Sequence, residues 1–123
     1  MKLETVSNRL RFEGSENSVR LLLRGVSGPY QHFDYDAIIW TTENPNSRRI
    51  NWGTEYNVVR SSYVRDLVHV ETVLHPITQQ ILTALSSRWR YVTIVHMYRT
   101  CDGYRHHAKW KAGKQISLPL SVS

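Results

Sequence analysis

The chain has 123 residues, of which 41% are hydrophobic and 21% charged, values that fit one globular domain over residues 1–123 and exclude wholesale disorder. It contains no apolar run long enough to predict a transmembrane helix, and its first five residues lack the apolar block of a signal peptide. The single cysteine, Cys101, excludes an internal disulfide and a cysteine-based zinc site. We therefore expect an intracellular, cytoplasmic protein, which would lie in a host cell if the chain is viral.

The formal net charge of +6 is concentrated in one part of the chain. Residues 1–62 carry eight Lys and Arg against seven Asp and Glu, whereas residues 63–123 carry eight against three. Residues 88–114 alone hold seven bases and one acid, Asp102; the bases are Arg88, Arg90, Arg99, Arg105, Lys109, Lys111 and Lys114. A patch of this kind predicts a polyanionic partner, which is RNA, DNA or an anionic membrane surface. A merely solubilising surface is the alternative.

The N-terminal half predicts strands separated by turns. Residues 1–12 alternate loosely between polar and apolar side chains and predict a first strand or an ordered arm. Further strands are predicted at 19–24, 37–42 and 56–60, where β-branched, aromatic and leucine residues cluster. We predict an exposed loop at residues 43–49, followed by a segment at 50–52 that pairs back on the preceding strand.

The C-terminal half predicts a helix followed by a long hairpin. Residues 64–74 fit either a strand or a helix by spacing, and we favour the strand. The helix is predicted at about 76–88, because Pro76 suits a first turn and the apolar residues after it follow a helical stripe. Residues 89–111 predict a β-hairpin, and residues 116–120 a short edge strand around Pro119. The fold class is α+β, a mainly antiparallel sheet with one principal helix packed on one face.

The hairpin is predicted to turn at Asp102-Gly103, a dipeptide typical of two-residue type I′ turns. Facing residues would then sum to 205, which assigns each side chain to one of two faces. The predicted core face contains Thr93, Val95, Met97, Cys101, Tyr104, Ala108 and Trp110, with Arg99 and His106 near the tip. The predicted binding face contains His96, Tyr98, Arg105, His107, Lys109 and Lys111. Among the tryptophans, we expect at least Trp40 and Trp110 to be buried.

Cations for phosphates and rings for unstacked bases are what single-stranded nucleic-acid binding requires. The sequence therefore predicts a small non-enzymatic protein that engages RNA or single-stranded nucleic acid through this hairpin face. Four further basic residues could extend the patch. They are Arg88, Arg90 and the neighbouring pair Arg48 and Arg49 in the predicted loop. No RNP-like strand or GxxG loop is present, so no sequence specificity is inferred.

Other functions remain open from the same residues. A self-associating viral matrix- or capsid-associated protein would use its edge strands for homo-oligomers and its basic face for lipid or nucleoprotein. A metal-independent endoribonuclease would use His96 and His107 as base and acid, with Lys109 steadying the phosphorane. The chain could also be an inhibitor that occupies another protein's nucleic-acid groove, but a positively charged protein is a poor mimic of phosphates. His32, Asp34 and Asp36 resemble half of a hard-cation site, but a turn is the preferred interpretation. We assign no catalytic residue, metal or cofactor.

Overall fold

The computed structural model describes residues 4–42, 44–64, 67–100, 103 and 105–116. Its strands form one antiparallel sheet in the order β2-β3-β1-β4-β5-β6. They are β1 (Thr5–Glu13), β2 (Arg60–Val64), β3 (Leu67–Val73), β4 (Thr93–Arg99), β5 (Arg105–Lys111) and β6 (Lys114–Gln115). The helices in this part of the chain are α1 (Glu16–Gly25), α2 (Tyr35–Ile38), α3 (Pro45–Trp52) and α4 (Gln79–Arg88). The predicted α+β class is confirmed, with several short helices in place of one principal helix.

Strand β1 lies in the middle of the sheet and joins its two halves. It pairs with β3 on one side, from Thr5 with Val73, and with β4 on the other, from Ser7 with Arg99. Its even-numbered side chains Val6, Asn8 and Leu10 are buried, while the odd-numbered positions are exposed. The predicted first strand is therefore confirmed, and its strict alternation gives the sheet one covered face and one open face.

The segment at 19–24 is helical, so the predicted strand there is wrong. Ser15 caps α1 by accepting from the Ser18 N–H at 3.2 Å. Only Leu22 of the three consecutive leucines is fully buried, and Leu21 is 60% exposed. A cap followed by one apolar stripe defines an amphipathic helix, whereas a strand covered on both faces would bury all three leucines.

The predictions for residues 37–52 are also wrong. The expected strand at 37–42 is the short helix α2 and the loop that follows it, and residues 45–52 form helix α3 instead of a loop and a returning strand. Asn44 caps α3 and Pro45 occupies its first turn, a combination that begins helices. The helix ends at Gly53, whose φ of +76° requires the left-handed region that glycine tolerates.

Two of the later elements agree with expectation in type but differ at their boundaries. The strand favoured for 64–74 is confirmed as β3. The strand predicted at 56–60 is wrong: residues 56–59 are not in a strand, and β2 begins at Arg60. The helix expected at 76–88 begins at Gln79, because Thr78 is the capping residue and Pro76 precedes it. Of the edge strand expected at 116–120, residues 117–120 lie outside the described part; β6 immediately precedes it.

Each of the four described helices contributes side chains to one buried cluster on a single face of the sheet. That cluster combines Leu22, Tyr35, Trp52 and Leu85 from the helices with strand residues Leu10, Val68, Val70, Ile94, Ala108 and Trp110. The expected burial of Trp110 is confirmed at 5% exposure, but that of Trp40 is wrong at 77%, because Trp40 follows α2 instead of lying in a strand. No described helix has the length and apolar character needed to cross a membrane.

Candidate nucleic-acid interface

The predicted β-hairpin exists, but its strands are shifted by one residue from the predicted register. Ile94 faces Trp110, His96 faces Ala108 and Tyr98 faces His106, so facing residues sum to 204 and not 205. A shift of one residue moves a whole strand to the other face of the sheet. The assignment of β5 remains correct, with Ala108 and Trp110 on the covered face. The assignment of β4 is reversed.

The turn explains the shift. The Gly103 N–H donates to the Thr100 carbonyl oxygen at 3.0 Å, and Gly103 has a φ of +89°. A turn that ends on a glycine at positive φ is typical of three-residue hairpin loops, which give an even register sum. A two-residue turn centred on Asp102-Gly103 would give the odd sum. Asp102 and its neighbours Cys101 and Tyr104 lie outside the described residues.

His96 is buried on the covered face of the sheet, and not exposed on the binding face where the predicted register placed it. Its side chain is 2% exposed, and its Nε2 lies 2.8 Å from Asn8 Oδ1. That oxygen also accepts the Ile77 N–H at 3.0 Å, while Asn8 Nδ2 donates to the Val70 carbonyl oxygen and to Thr72 Oγ1. Asn8 Oδ1 is thus the acceptor, which makes His96 Nε2 the donor.

Burial, with a smaller contribution from the charge of His106, lowers the pKa of His96 from 6.5 to about 3. A ring that stays neutral under ordinary conditions cannot serve as an acid in phosphate chemistry. His107 projects from the opposite face of the sheet, because it pairs with Met97 and not with His96. The predicted ribonuclease arrangement of His96, His107 and Lys109 is therefore contradicted by the register.

Tyr98 also lies on the covered side of the sheet, toward the hairpin tip. Its ring stacks on His106 with centroids 4.9 Å apart and lies 5.4 Å from the ring of His96. Both Tyr98 and His106 are half-buried. Tyr98 therefore does not share a face with Arg105 and Lys109, as the predicted register required.

Three of the four basic residues expected to extend the patch contact other parts of the protein. The Arg88 guanidinium donates to the Ala37 carbonyl oxygen at 3.1 Å and lies over the Trp89 ring. Arg48 lies over the Trp52 ring, and Arg49 forms an ion pair with Glu55 at 2.6 Å. These contacts belong to the helical side of the molecule. Arg90 is exposed in the turn between α4 and β4.

The open face of the sheet carries most of the remaining charge. We define it as the odd-numbered residues of β1, β3, β4 and β5 together with the β2 and β6 residues paired with them. Its basic residues are Arg9, Arg11, Arg60, Arg99, Arg105, Lys109, Lys111 and Lys114. Its acidic residues among the described positions are Glu13 and Glu71.

Sequence reasoning missed Arg9, Arg11 and Arg60 as members of this surface. The alternation of β1 could have placed Arg9 and Arg11 opposite the buried side chains. Nothing local could have placed β1 beside the hairpin, because Arg9 pairs with Met97 far along the chain. Arg105, His107, Lys109 and Lys111 lie on the open face as predicted by their alternation.

A cleft of about 580 Å³ opens at the tip end of this face. It is lined by Ser7, Arg9, Met97, Tyr98, Arg99, Arg105, His106 and His107. Six of these residues belong to two adjacent cross-strand rows, Ser7–Arg99–Arg105 and Arg9–Met97–His107. The other two, Tyr98 and His106, face each other across β4 and β5 and belong to the covered side. The cleft therefore combines three guanidinium groups and a thioether with two imidazoles and a phenol ring.

The His32–Asp36 segment has a structural role. Asp34 Oδ1 caps α2 by accepting the Asp36 N–H at 2.9 Å and also accepts from Asn57 Nδ2 at 2.8 Å. Asp36 in turn accepts the Thr41 N–H. Among the described residues, no group of three metal-ligating side chains is placed to hold an ion.

Comparisons with known proteins identify no relative: no family model, curated protein or solved structure matches the chain. The function is therefore inferred from the chemistry of the open face.

Proposed function

We propose that the protein is a non-enzymatic binding protein that holds RNA or other single-stranded nucleic acid on the open face of its sheet. The observation that supports this most strongly is the gathering of eight cations from five strands on one face, against two carboxylates among the described positions. Polyanion binding is driven by such an array, because each phosphate contact releases condensed counterions. Arginine dominates the array, and its planar fork suits phosphate oxygens.

The spacing of the array suits an extended backbone. Neighbouring strands lie about 4.8 Å apart, and side chains on the same face of one strand recur about every 7 Å. Exposed cations from β1, β4, β5 and β6, among them Arg11, Arg99 and Lys111, thus form a grid and not a point. A strand of nucleic acid laid across the sheet would meet a cation at successive phosphates.

The composition of the face also indicates how it would bind. Its described positions include no Phe, Tyr or Trp, and its only rings are those of His69 and His107. Base stacking on aromatic platforms is therefore a minor contribution, in contrast to single-strand binders that depend on it. We expect contacts with phosphates to dominate, which gives weak sequence preference and a steep dependence of affinity on salt.

The test compares two double variants that remove the same charge from opposite sides of the molecule. Arg9→Gln/Arg11→Gln neutralises exposed cations of the open face, and Arg20→Gln/Arg24→Gln neutralises exposed cations of α1 on the helical side. Binding of labelled single-stranded RNA is measured by fluorescence anisotropy over a range of salt concentrations. The β1 variant should lower the slope of log affinity against log salt by roughly 0.7 for each phosphate that it no longer neutralises.

The α1 variant should retain nearly the wild-type slope, since its arginines lie away from the bound strand. If the slope falls equally in the two variants, net charge alone attracts RNA and the open face has no special role. Vesicles that contain an anionic lipid provide a second arm: tighter, face-dependent binding to them than to RNA would identify a membrane surface as the polyanion.

Self-association is the second candidate, because β2 lies at the edge of the sheet. Its residues Tyr63 and Val64 are 40% and 51% exposed, and an unpaired strand edge is a template for pairing with another chain. An assembly protein would form oligomers whose mass, measured by light scattering, rises with concentration. A Val64→Lys variant should abolish that rise if β2 forms the contact.

A further inference from the structure

The cleft at the hairpin tip has a charge arrangement that the fold alone does not explain. Arg99 and Arg105 face each other directly across the β4–β5 ladder, and Arg9 lies in the next row. Like charges at directly opposed positions destabilise a sheet. Among the described residues, no carboxylate forms an ion pair with any of these three arginines, in contrast to Arg20 and Arg49.

The floor of the cleft differs from the rest of the open face. Met97 is half-buried between Arg9 and His107 in the cross-strand row, so a thioether and an imidazole lie beside the guanidinium groups. Facing side chains lie about 5 Å apart across strands and about 7 Å apart along one. The cleft volume of about 580 Å³ lies within the range of small-ligand sites. One nucleotide would fit a cleft of this size, with its base against the thioether and its phosphate between the arginines.

We propose that this cleft binds a nucleotide that carries a phosphomonoester, either a free nucleotide or the phosphorylated end of a strand. A phosphomonoester carries about −1.5 to −2 charges at neutral pH, whereas an internal phosphodiester carries one. Two opposed guanidinium groups match the dianion and can each bind it through two N–H donors. A bound dianion would offset the repulsion between the opposed Arg99 and Arg105.

The strand-end form of this proposal rests on the proposed function of the open face, so the experiment separates the two. Single-stranded RNA of one sequence is compared with hydroxyl ends, with a 5′-phosphate and with a 3′-phosphate. Adenosine 5′-monophosphate, adenosine and inorganic phosphate are tested alongside by calorimetry. We expect the monophosphate to bind in preference to adenosine and inorganic phosphate, and one phosphorylated RNA end to bind about tenfold tighter than the hydroxyl form.

The chain provides a matched control for the cleft variant. Arg99→Gln/Arg105→Gln removes a directly opposed pair inside the cleft, and Lys111→Gln/Lys114→Gln removes a directly opposed pair at the other end of the same face. The cleft variant should lose the preference for phosphorylated ends and the binding of the monophosphate. The lysine variant should lower the affinity for both the phosphorylated and the hydroxyl-ended RNA, and it should leave the ratio of the two affinities unchanged.

A second cleft variant adds a charge instead of removing one. Ser7 faces Arg99 and lines the cleft, so Ser7→Glu would place a carboxylate where the phosphate is proposed to lie. Because that carboxylate pairs with arginine, the variant should fold and yet lose monophosphate binding. Retained monophosphate binding in both cleft variants would overturn the proposal.

The two proposals fail in different ways. If RNA binds equally well with and without a terminal phosphate and the monophosphate does not bind, the proposed nucleotide site in the cleft is overturned. The open face would then remain as the proposed interface. Monophosphate binding that depends on Arg99 and Arg105, without binding of RNA, would support the cleft as a free-nucleotide site and overturn the proposed function.

Discussion

The buried histidine of β4 makes the stability of the protein depend on pH in a way that can be calculated. His96 is 2% exposed, and its pKa in the folded protein is about 3, against 6.5 for the free side chain. The unfolded chain therefore binds a proton at mildly acidic pH that the folded chain excludes. The stability that His96 contributes is complete above a pH of about 6.5 and is lost as the pH falls toward 3.

The magnitude follows from the size of the pKa difference. Each pH unit below 6.5 costs about 1.4 kcal/mol of unfolding free energy while the folded ring stays neutral. At about pH 5 the loss from His96 alone is therefore roughly 2 kcal/mol. This is a large share of the stability of a typical domain.

The perturbation is His96→Gln, which removes the titration and keeps an N–H donor within reach of Asn8 Oδ1. Urea unfolding followed by tryptophan fluorescence gives the free energy of unfolding at about pH 7.5 and about pH 5. The wild type should lose roughly 2 kcal/mol more than the variant between these conditions. His107→Gln on the open face is the control, and it should lose as much as the wild type.

An equal loss in the wild type and in His96→Gln would refute the reasoning. It would mean that the acid sensitivity comes from other groups and that His96 is not held neutral by burial. A histidine reached by solvent on the binding face, as the sequence predicts, would produce that outcome.

Further predictions concern the hydrogen bonds of Asn8, the burial of two tryptophans and the glycine that ends α3. Asn8→Ala should cost roughly 3 kcal/mol in urea unfolding, because it leaves the buried donors of His96 and Ile77 without their acceptor. Trp110→Ala should cost roughly 3–5 kcal/mol, whereas Trp40→Ala should change stability by less than about 0.5 kcal/mol; similar losses would contradict the burial of one ring and the exposure of the other. Gly53→Ala should lower the melting temperature by a few degrees, corresponding to about 1 kcal/mol, since its φ is +76°; an unchanged temperature would contradict that conformation.

The sequence correctly predicts those helices and strands that are determined by patterns among neighbouring residues. The hairpin, β3 and α4 follow from β-branched runs and from a helical stripe. Helices α1 and α3 are mispredicted because consecutive leucines and a Pro-Asn loop resemble a strand and a turn. The caps at Ser15 and Asn44 are the stronger signals, since a side-chain acceptor at the first turn satisfies N–H groups that a strand would leave to its neighbours.

The candidate site could be predicted only in part for two physical reasons. The face of every β4 side chain depends on whether the turn at Gly103 has two or three loop residues, and a glycine at positive φ is compatible with both. The arginines of β1 join the hairpin through pairs such as Arg9 with Met97, and no local pattern encodes such distant pairing. Composition indicated a basic surface correctly, but most of its geometry is tertiary.

The central position of β1 has a consequence for how the protein is made. Strand β1 precedes both of its partners in the chain and pairs with residues 67–73 and 93–99, so its contacts are among the most distant in sequence. Folding dominated by such pairs is slow, because the loop must close before any contact forms. During synthesis, β1 therefore lacks one of its two partners until residues 93–99 have been made. The helices, whose backbone hydrogen bonds are local, do not have to wait for β4.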